Sequence, residues 1–288
     1  MDLNELRLEI DKIDDQLVQL FVQRMNVSAQ IADYKKLHDL PIFVPTREAE
    51  KLRDVAQKAG PDMDVYTSAL YSMLFELSRG YQSKRNASRT ALFDRISDAI
   101  SNTPKLMPKD ATVASMFDQE ENVQLLCQKV FGQHSIMPFK NTEGIFSAVH
   151  QGMCRYGILP ADQHIKELYD QISALGLFVT RRFLLQNQSH YICVSKTLEI
   201  YPGADRTCIR MTLLDQPGAL YKLLARLYTL NINVVDVVSR PITEHPFQRM
   251  FYFELQTSVY SQEFVQLICE LDDLCKEFSY LGSYIEVV

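Results

Sequence analysis

The chain holds 288 residues with 36 acidic and 30 basic side chains, a formal net charge of −6. An apolar share of 47% with 23% charged residues excludes disordered, collagen-like and rod-like chains. No apolar run approaches the roughly 18 residues of a membrane span, and the mildly acidic balance argues against nucleic acid as a partner. Met1 leads straight into acidic, periodic residues, without the basic start and apolar core of a signal peptide, so a cytoplasmic location is expected. The six cysteines, Cys127, Cys154, Cys193, Cys208, Cys269 and Cys275, are scattered. They form no Cys-x-x-Cys pair and have no histidine at metal spacing, so they read as small buried thiols and no metal or cofactor is expected. The length allows two domains or three small ones.

In chain order, the first element is the clearest. Leu3, Leu6, Ile10, Ile13, Leu17, Leu20, Val27, Ile31 and Tyr34 step by three and four, which predicts one helix of roughly 32 residues and about 50 Å. Pro41 and Pro45 break it. Thr46 is the expected cap of a second helix reaching about Ala59 and ended by Gly60-Pro61, and a third helix is expected from about Val65 to Gln82. After the polar stretch Gln82 to Arg89, Thr90 is the expected cap of a short helix to about Ile100, before Pro104 and Pro108 interrupt; this reads as a linker. From Ala111 the texture becomes alternating. Strands are expected at Thr112 to Phe117, Ser135 to Phe139, Tyr156 to Leu159, Leu177 to Leu185 and His190 to Val194. Helices are expected at Val123 to Phe131, Asn141 to Gly152 and Asp162 to Leu175, which together make an α/β layer. Ile200 to Asp205 reads as a boundary. Beyond it come strands Thr207 to Leu214, Val234 to Ser239, Arg249 to Gln256 and Tyr280 to Val287. Helices opened by Pro217-Gly218 and spanning Gln262 to Lys276 complete a βαββαβ, ferredoxin-like order.

The first helix carries an anomaly. Its apolar seam would continue at residue 24, where Arg24 stands. A charge on a packed seam must be paired in a salt bridge or snorkel to water, and this helix alone does not decide between them. Lys35 lies on the same face, 11 residues on, about 16 Å away. Arg47 and Glu48 open the second helix, and Ser78 and Gln82 share a face of the third. Such a set contains no nucleophile with an adjacent base and no metal ligands. It suits gripping an anion and donating hydrogen bonds, the means of electrostatic and positional catalysis.

The stretches Leu6-Arg7-Leu8-Glu9-Ile10-Asp11, Gln23-Arg24-Met25, Lys35-Lys36, Thr46-Arg47-Glu48 and Glu76-Leu77-Ser78-Arg79-Gly80-Tyr81-Gln82 resemble the all-helical class of chorismate mutase, over about residues 1–86. The resemblance implies the Claisen rearrangement of chorismate to prephenate. It implies that Arg7, Arg24 and Arg47 bind the substrate carboxylates, that Lys35 and Gln82 bond the ether oxygen, that Glu48 takes the ring hydroxyl and that Ser78 assists. The family places an aspartate four residues before Glu48 where this chain has Val44, so a weaker substrate affinity is expected. Arg7 and Arg24 lie 17 residues apart, about 25 Å of helix, too far to meet one small molecule; if Arg7 binds substrate and is not simply a surface charge, a second copy must supply it, which implies a homodimer or higher homo-oligomer with shared sites.

Ile136 to Val149, followed by Gly152-Met153-Cys154-Arg155-Tyr156-Gly157-Ile158-Leu159-Pro160, resembles part of a prephenate dehydratase domain. The family's glycine-rich turn is replaced by Phe117-Asp118-Gln119-Glu120-Glu121, its Ile-Glu-Asn by Ala161-Asp162-Gln163, and its Thr-Arg-Phe by Ser189-His190-Tyr191. Ala111 to Lys196 supplies about one of the family's two lobes, so a degenerate lobe without dehydratase activity is expected; His164 and His190 read as structural or solvent-exposed. Asp215-Gln216-Pro217-Gly218-Ala219-Leu220, Val238-Ser239-Arg240-Pro241 and Leu281-Gly282-Ser283-Tyr284 resemble an ACT regulatory domain of the phenylalanine-binding sort. That implies effector contacts from Asp215, Gly218, Ala219, Leu220, Ser239, Arg240 and Pro241; Val238 stands where the family has glutamate. Free N-H groups at a helix start behind Gly218 suit a carboxylate.

The expected protein is multidomain and resembles the bifunctional chorismate mutase/prephenate dehydratase family. All-α mutase helices (1–86) and a linker (87–110) precede a small α/β lobe, half of a dehydratase domain (111–199), and a βαββαβ ACT domain (200–288). The expected function is a phenylalanine-regulated chorismate mutase of aromatic amino acid biosynthesis. The alternatives are a non-catalytic amino-acid-sensing oligomer and a still-bifunctional mutase and dehydratase.

Overall fold

The computed structural model describes residues 2–41, 43–86, 90–117, 120–161, 165–185, 188–274 and 277–287. They divide into two compact units, Met1–Ser88 with Tyr221–Thr229, and Arg89–Leu220 with Leu230–Val288.

The first unit is built on α1 (Leu3–Leu37), α2 (Pro45–Ala59) and α3 (Asp64–Asn86). Asp2 starts α1 through a capping box: its side chain accepts from the N-H groups of Asn4 and Glu5 at 2.8 Å, and Glu5 Oε2 accepts from Asp2 N at 2.9 Å. The helix runs for 35 residues, as its uninterrupted periodicity requires. α2 corrects one expectation. Its cap residue is Val44, which offers no side-chain hydrogen bond, and Pro45 rather than Thr46 opens the helix. Proline is suited to that first position because its missing N-H would have had no partner and its φ is preset. Gly60, at φ 79°, ends α2.

α1 and α2 both pack on α3. On α1 the buried residues are Ser28, Ala29 and Ala32, all small, which lets the α3 backbone come close. The seam residues Leu3, Ile10 and Leu17 are 63%, 57% and 52% exposed. About half the length of α1 thus presents an apolar stripe that its own unit does not cover.

The second unit holds α4 (Ala91–Asn102), β1 (Asp110–Met116), α5 (Glu120–Val130), β2 (Gln133–Phe139), α6 (Thr142–His150), β3 (Tyr156–Pro160), α7 (Ile165–Ala174), β4 (Phe178–Leu184) and β5 (His190–Ser195). Then follow β6 (Arg206–Leu214), α8 (Ala219–Thr229, grouped mostly with the first unit), β7 (Asn233–Pro241), β8 (Gln248–Gln256), α9 (Gln262–Leu274) and β9 (Phe278–Val287). Thr90 caps α4 by accepting from Phe93 N, as its position predicts. The strands form one nine-stranded sheet in the order β2-β1-β3-β5-β4-β9-β6-β8-β7. β1 pairs in parallel with β2 and β3, the layout of βαβ units. The βαββαβ stretch contributes β9-β6-β8-β7, and its last strand joins β4 in parallel.

That junction depends on one residue. Gly282 has φ 132°, and a Cβ there would lie 2.3 Å from the carbonyl oxygen of Val179, so only glycine lets β9 approach β4 this closely. Residues alternate along β5: Ile192 and Val194 enter one apolar cluster with Phe146, Tyr169 and Tyr284, while Tyr191 and Cys193 enter another with Phe131, Tyr156 and Phe183. The period of two places those clusters on opposite faces of the sheet.

Burial pushes the thiols of Cys127 and Cys193 up to about 12, which keeps them protonated. Cys275, Asp118, Gln119, Asp162, Gln163 and His164 lie outside the described residues. No helix among the described residues is long and apolar enough to cross a membrane.

Candidate active site

The first unit contains a cavity of about 650 Å³ lined by residues of all three helices. α1 supplies Arg24, Ser28 and Lys35; α2 supplies Arg47 and Glu48; α3 supplies Phe75, Ser78, Arg79 and Gln82. Six of the seven residues expected to be catalytic therefore meet at one place. Arg7 does not line this cavity and is exposed. The unbroken α1 carries it away from Arg24, as the helix rise requires.

Arg24 sits on the seam because α3 gives it partners. Its Nη1 donates to the carbonyl oxygen of Leu74 at 3.1 Å and to Ser78 Oγ. Ser78 donates to the same carbonyl at 2.7 Å, and the guanidinium lies over the Phe75 ring, 5.8 Å from its centroid. Arg24 is thus held by hydrogen bonds to neutral groups rather than by a carboxylate, which leaves its charge available to an anion. Gln82 is buried, and its Nε2 donates to Ser28 Oγ at 2.7 Å while its Oε1 has no hydrogen-bond partner. Rotating the amide by half a turn lets Ser28 donate to Oε1 and exchanges the nitrogen into the unsatisfied place, so the pair can present a donor to the cavity.

Burial lowers the pKa of Arg24 and of Lys35 from their ordinary values. For Lys35 the nearby Glu48 opposes that effect and Arg47 adds to it. Desolvated cations facing a shared cavity gain most from a bound anion. The described residues contain no group of three or more His, Cys, Asp or Glu side chains able to hold a metal ion. The arrangement can hold a polyanion, aim donors at one atom and impose a conformation.

Two contributors were not singled out from the sequence. Ser28 is a small polar residue on a helix, and its only sequence signal is its place four residues after Arg24. Arg79 stands beside Ser78 within the motif; it binds Glu48 and Glu76 at once and lies over the Phe43 ring, 4.9 Å from its centroid. Val44 also lines the cavity and presents an apolar side chain there.

The model of the chorismate mutase type II family matches residues 6–83. The helical unit is a type II chorismate mutase domain. The chain is thus an isomerase of the chorismate mutase type. It is similar over 98% of its length, and 98% of the relative's, to the bifunctional chorismate mutase/prephenate dehydratase of Aquifex aeolicus (strain VF5), at 21% identity. The T-protein of Haemophilus influenzae is 39% identical over 77 residues, and the bifunctional enzyme of Escherichia coli (strain K12) 32% over 79; each of these matches spans 20% of the relative. Two solved structures share the fold over part of the chain. The quorum-quenching acylase GqqA has a TM-score of 0.52 at 20% identity, covering 60% of this chain and 94% of that one. The prephenate dehydratase of Arthrobacter aurescens, in complex with L-Phe, has a TM-score of 0.52 at 14% identity, covering 60% and 89%.

The residues expected to bind an effector lie outside the mutase domain. Gly218, at φ 85°, precedes the start of α8 at Ala219. Arg240, next to the last residue of β7, is already engaged: its Nε lies 2.7 Å from Asp170 Oδ2 and its Nη2 donates to Asp170 Oδ1 at 2.9 Å. Tyr252 donates to the same Asp170 oxygen. Asp215 and Ser239 are linked through Arg249, whose Nε lies 3.8 Å from Asp215 Oδ1 and whose Nη1 donates to Ser239 at 3.3 Å. Asp170 and Arg249 were not expected from the sequence, because Asp170 meets the motif from α7 and Arg249 from β8, far from it along the chain.

Proposed function

We propose that this protein converts chorismate to prephenate in aromatic amino acid biosynthesis. The observation that carries the reading is the convergence of Arg24, Lys35, Arg47, Glu48, Ser78 and Gln82 from three helices on one cavity. Arg24 and Arg47 take the substrate carboxylates, Glu48 accepts from the ring hydroxyl, and Lys35 and Gln82 donate to the ether oxygen. The rearrangement breaks a C-O bond as a C-C bond forms, and the ether oxygen gains negative charge on the way. Donors fixed at that oxygen stabilise the transition state more than the substrate. The clamp on two carboxylates folds the substrate so that its reacting carbons meet. No covalent intermediate is required.

Arg7 completes the site from a second copy. The exposed apolar seam Leu3 to Leu20 supports a dimer in which two α1 helices cover each other and exchange their Arg7 side chains. We further read residues 1–86 as mutase, 87–110 as linker, 111–199 as a single dehydratase-like lobe and 200–288 as an ACT module. The alignment with the Aquifex aeolicus enzyme spans 356 positions, whereas this chain has 288 residues; the relative therefore carries segments that this chain lacks. That supports loss of the second lobe and of dehydratase activity. The L-Phe held by the Arthrobacter aurescens dehydratase is the reason to take phenylalanine as the effector.

The test is a chorismate consumption assay on the purified chain, with product identification, run with and without phenylalanine. Prephenate should accumulate and no phenylpyruvate should form at neutral pH. Absence of chorismate turnover overturns the mutase reading, and enzymatic phenylpyruvate formation overturns the loss of the second activity.

A further inference from the structure

The mutase cavity contains a cation to which the allocation above gives no task, and the inference drawn from it rests on that allocation. Arg79 binds Glu48 Oε1 through Nη1 and Glu76 Oε1 through Nη2. The side chains of Arg79, Glu48 and Glu76 are 13%, 23% and 12% exposed, so this is a largely desolvated row of charges and not a surface pair. Burial raises the pKa of Glu76, and the Arg79 charge opposes that rise. The Phe43 ring lies against the guanidinium, which limits its freedom to swing toward water.

Glu48 needs such a partner. It lines the same cavity as Lys35, Arg47 and Arg24, and a carboxylate there with no other restraint would turn onto one of those cations. That contact would occupy the cation required by the substrate carboxylates and remove the acceptor required by the ring hydroxyl. Val44 offers no second carboxylate to share either task. With Oε1 held from α3 by Arg79, Oε2 accepts no hydrogen bond from the described residues and remains open as an acceptor.

We propose that Arg79 is a positioning residue for the mutase reaction. It holds the Glu48 carboxylate off the substrate-binding cations and aims its free oxygen at the ring hydroxyl, while Glu76 balances the Arg79 charge. The ring hydroxyl sits on the carbon next to the C-O bond that breaks but keeps its own bonds through the rearrangement, so the contribution belongs to substrate binding more than to the chemical step.

The experiment is steady-state kinetics on the full chain for Arg79→Ala, Arg79→Lys, Glu48→Gln and the double variant Arg79→Ala with Glu48→Gln. Arg79→Ala should raise KM about tenfold with kcat within about threefold, and Arg79→Lys should recover part of the loss. In the Glu48→Gln background, Arg79→Ala should have little further effect, because the group it positions is already altered. A purely structural salt bridge would not give that dependence. Should Arg79→Ala fail to fold by circular dichroism, Arg79→Gln combined with Glu76→Gln removes the cation together with one of its two carboxylate partners, and its comparison with and without Glu48→Gln gives the same reading. Unaltered kinetics in Arg79→Ala, or effects that multiply in the double variant, overturn the proposal. Lack of turnover by the unsubstituted chain overturns the functional reading itself, and is seen before any variant is compared.

Discussion

Gln82 on α3 and Ser28 on α1 share a buried hydrogen bond of 2.7 Å that ties the amide of one helix to the hydroxyl of the other. The amide oxygen has no partner; in the rotated orientation Ser28 donates to that oxygen and the nitrogen takes the vacant place, where a bound substrate oxygen can accept from it. Ser28 thereby decides which end of the amide meets the substrate. Ser28→Ala should lower kcat about tenfold with little change in KM, and Gln82→Leu should lower it about a hundredfold. The measurement is kcat and KM for both variants. An unaltered kcat in Ser28→Ala would show that the hydroxyl has no part in orienting Gln82.

Lys35 should set an alkaline limit to activity. Its ammonium form is the donor, and burial lowers its pKa from 10.5 despite the opposing charge of Glu48. The charged form is therefore lost at a lower pH than for an exposed lysine: kcat/KM should be level below that pKa and fall as pH rises through it. Lys35→Arg should move the fall out of the accessible range. Gln82 is neutral and contributes no limb of its own. A profile that stays flat to pH 10.5 would remove Lys35 from the donor role.

The shared-site dimer has a decisive complementation test. Arg24→Ala removes a cation from the body of the site and Arg7→Ala removes one from the other copy, so each variant alone should be almost inactive. Unfolding and refolding the two together yields mixed dimers in which one of the two sites has both arginines. About a quarter of the unsubstituted rate should return. A mixture no more active than its components would place Arg7 outside the site.

Phenylalanine should bind the βαββαβ segment and lower the mutase rate. Calorimetry on the full chain measures the first and a rate titration the second. Arg240→Ala should weaken binding at least tenfold, because Arg240, fixed by Asp170 at 2.7 Å, borders the expected site. A flat titration with unaltered kinetics would leave the effector reading without support.

Much of this molecule was legible along the chain because its signals are local. Gly60 ends α2 and Thr90 caps α4, whereas the Asp2–Glu5 capping box of α1 shows only in the structure. The seam on α1 carries Arg24 where an apolar residue belongs, and that position lines the cavity. Thr46 has the better capping side chain, but Pro45 opens α2 one residue earlier and needs no cap on its missing N-H.

The sequence by itself determined the elements, their order and the face on which Arg24, Lys35, Ser78 and Gln82 lie, since helical and strand periods are properties of neighbouring residues. Only the tertiary structure decided that Arg79 holds Glu48 across 31 residues, that Ser28 meets Gln82 across 54, and that β9 joins β4 to give one sheet of nine strands. Those pairings depend on how closely two backbones approach, which Ala29 and Ala32 permit in one unit and Gly282 in the other. No period in the chain encodes that distance.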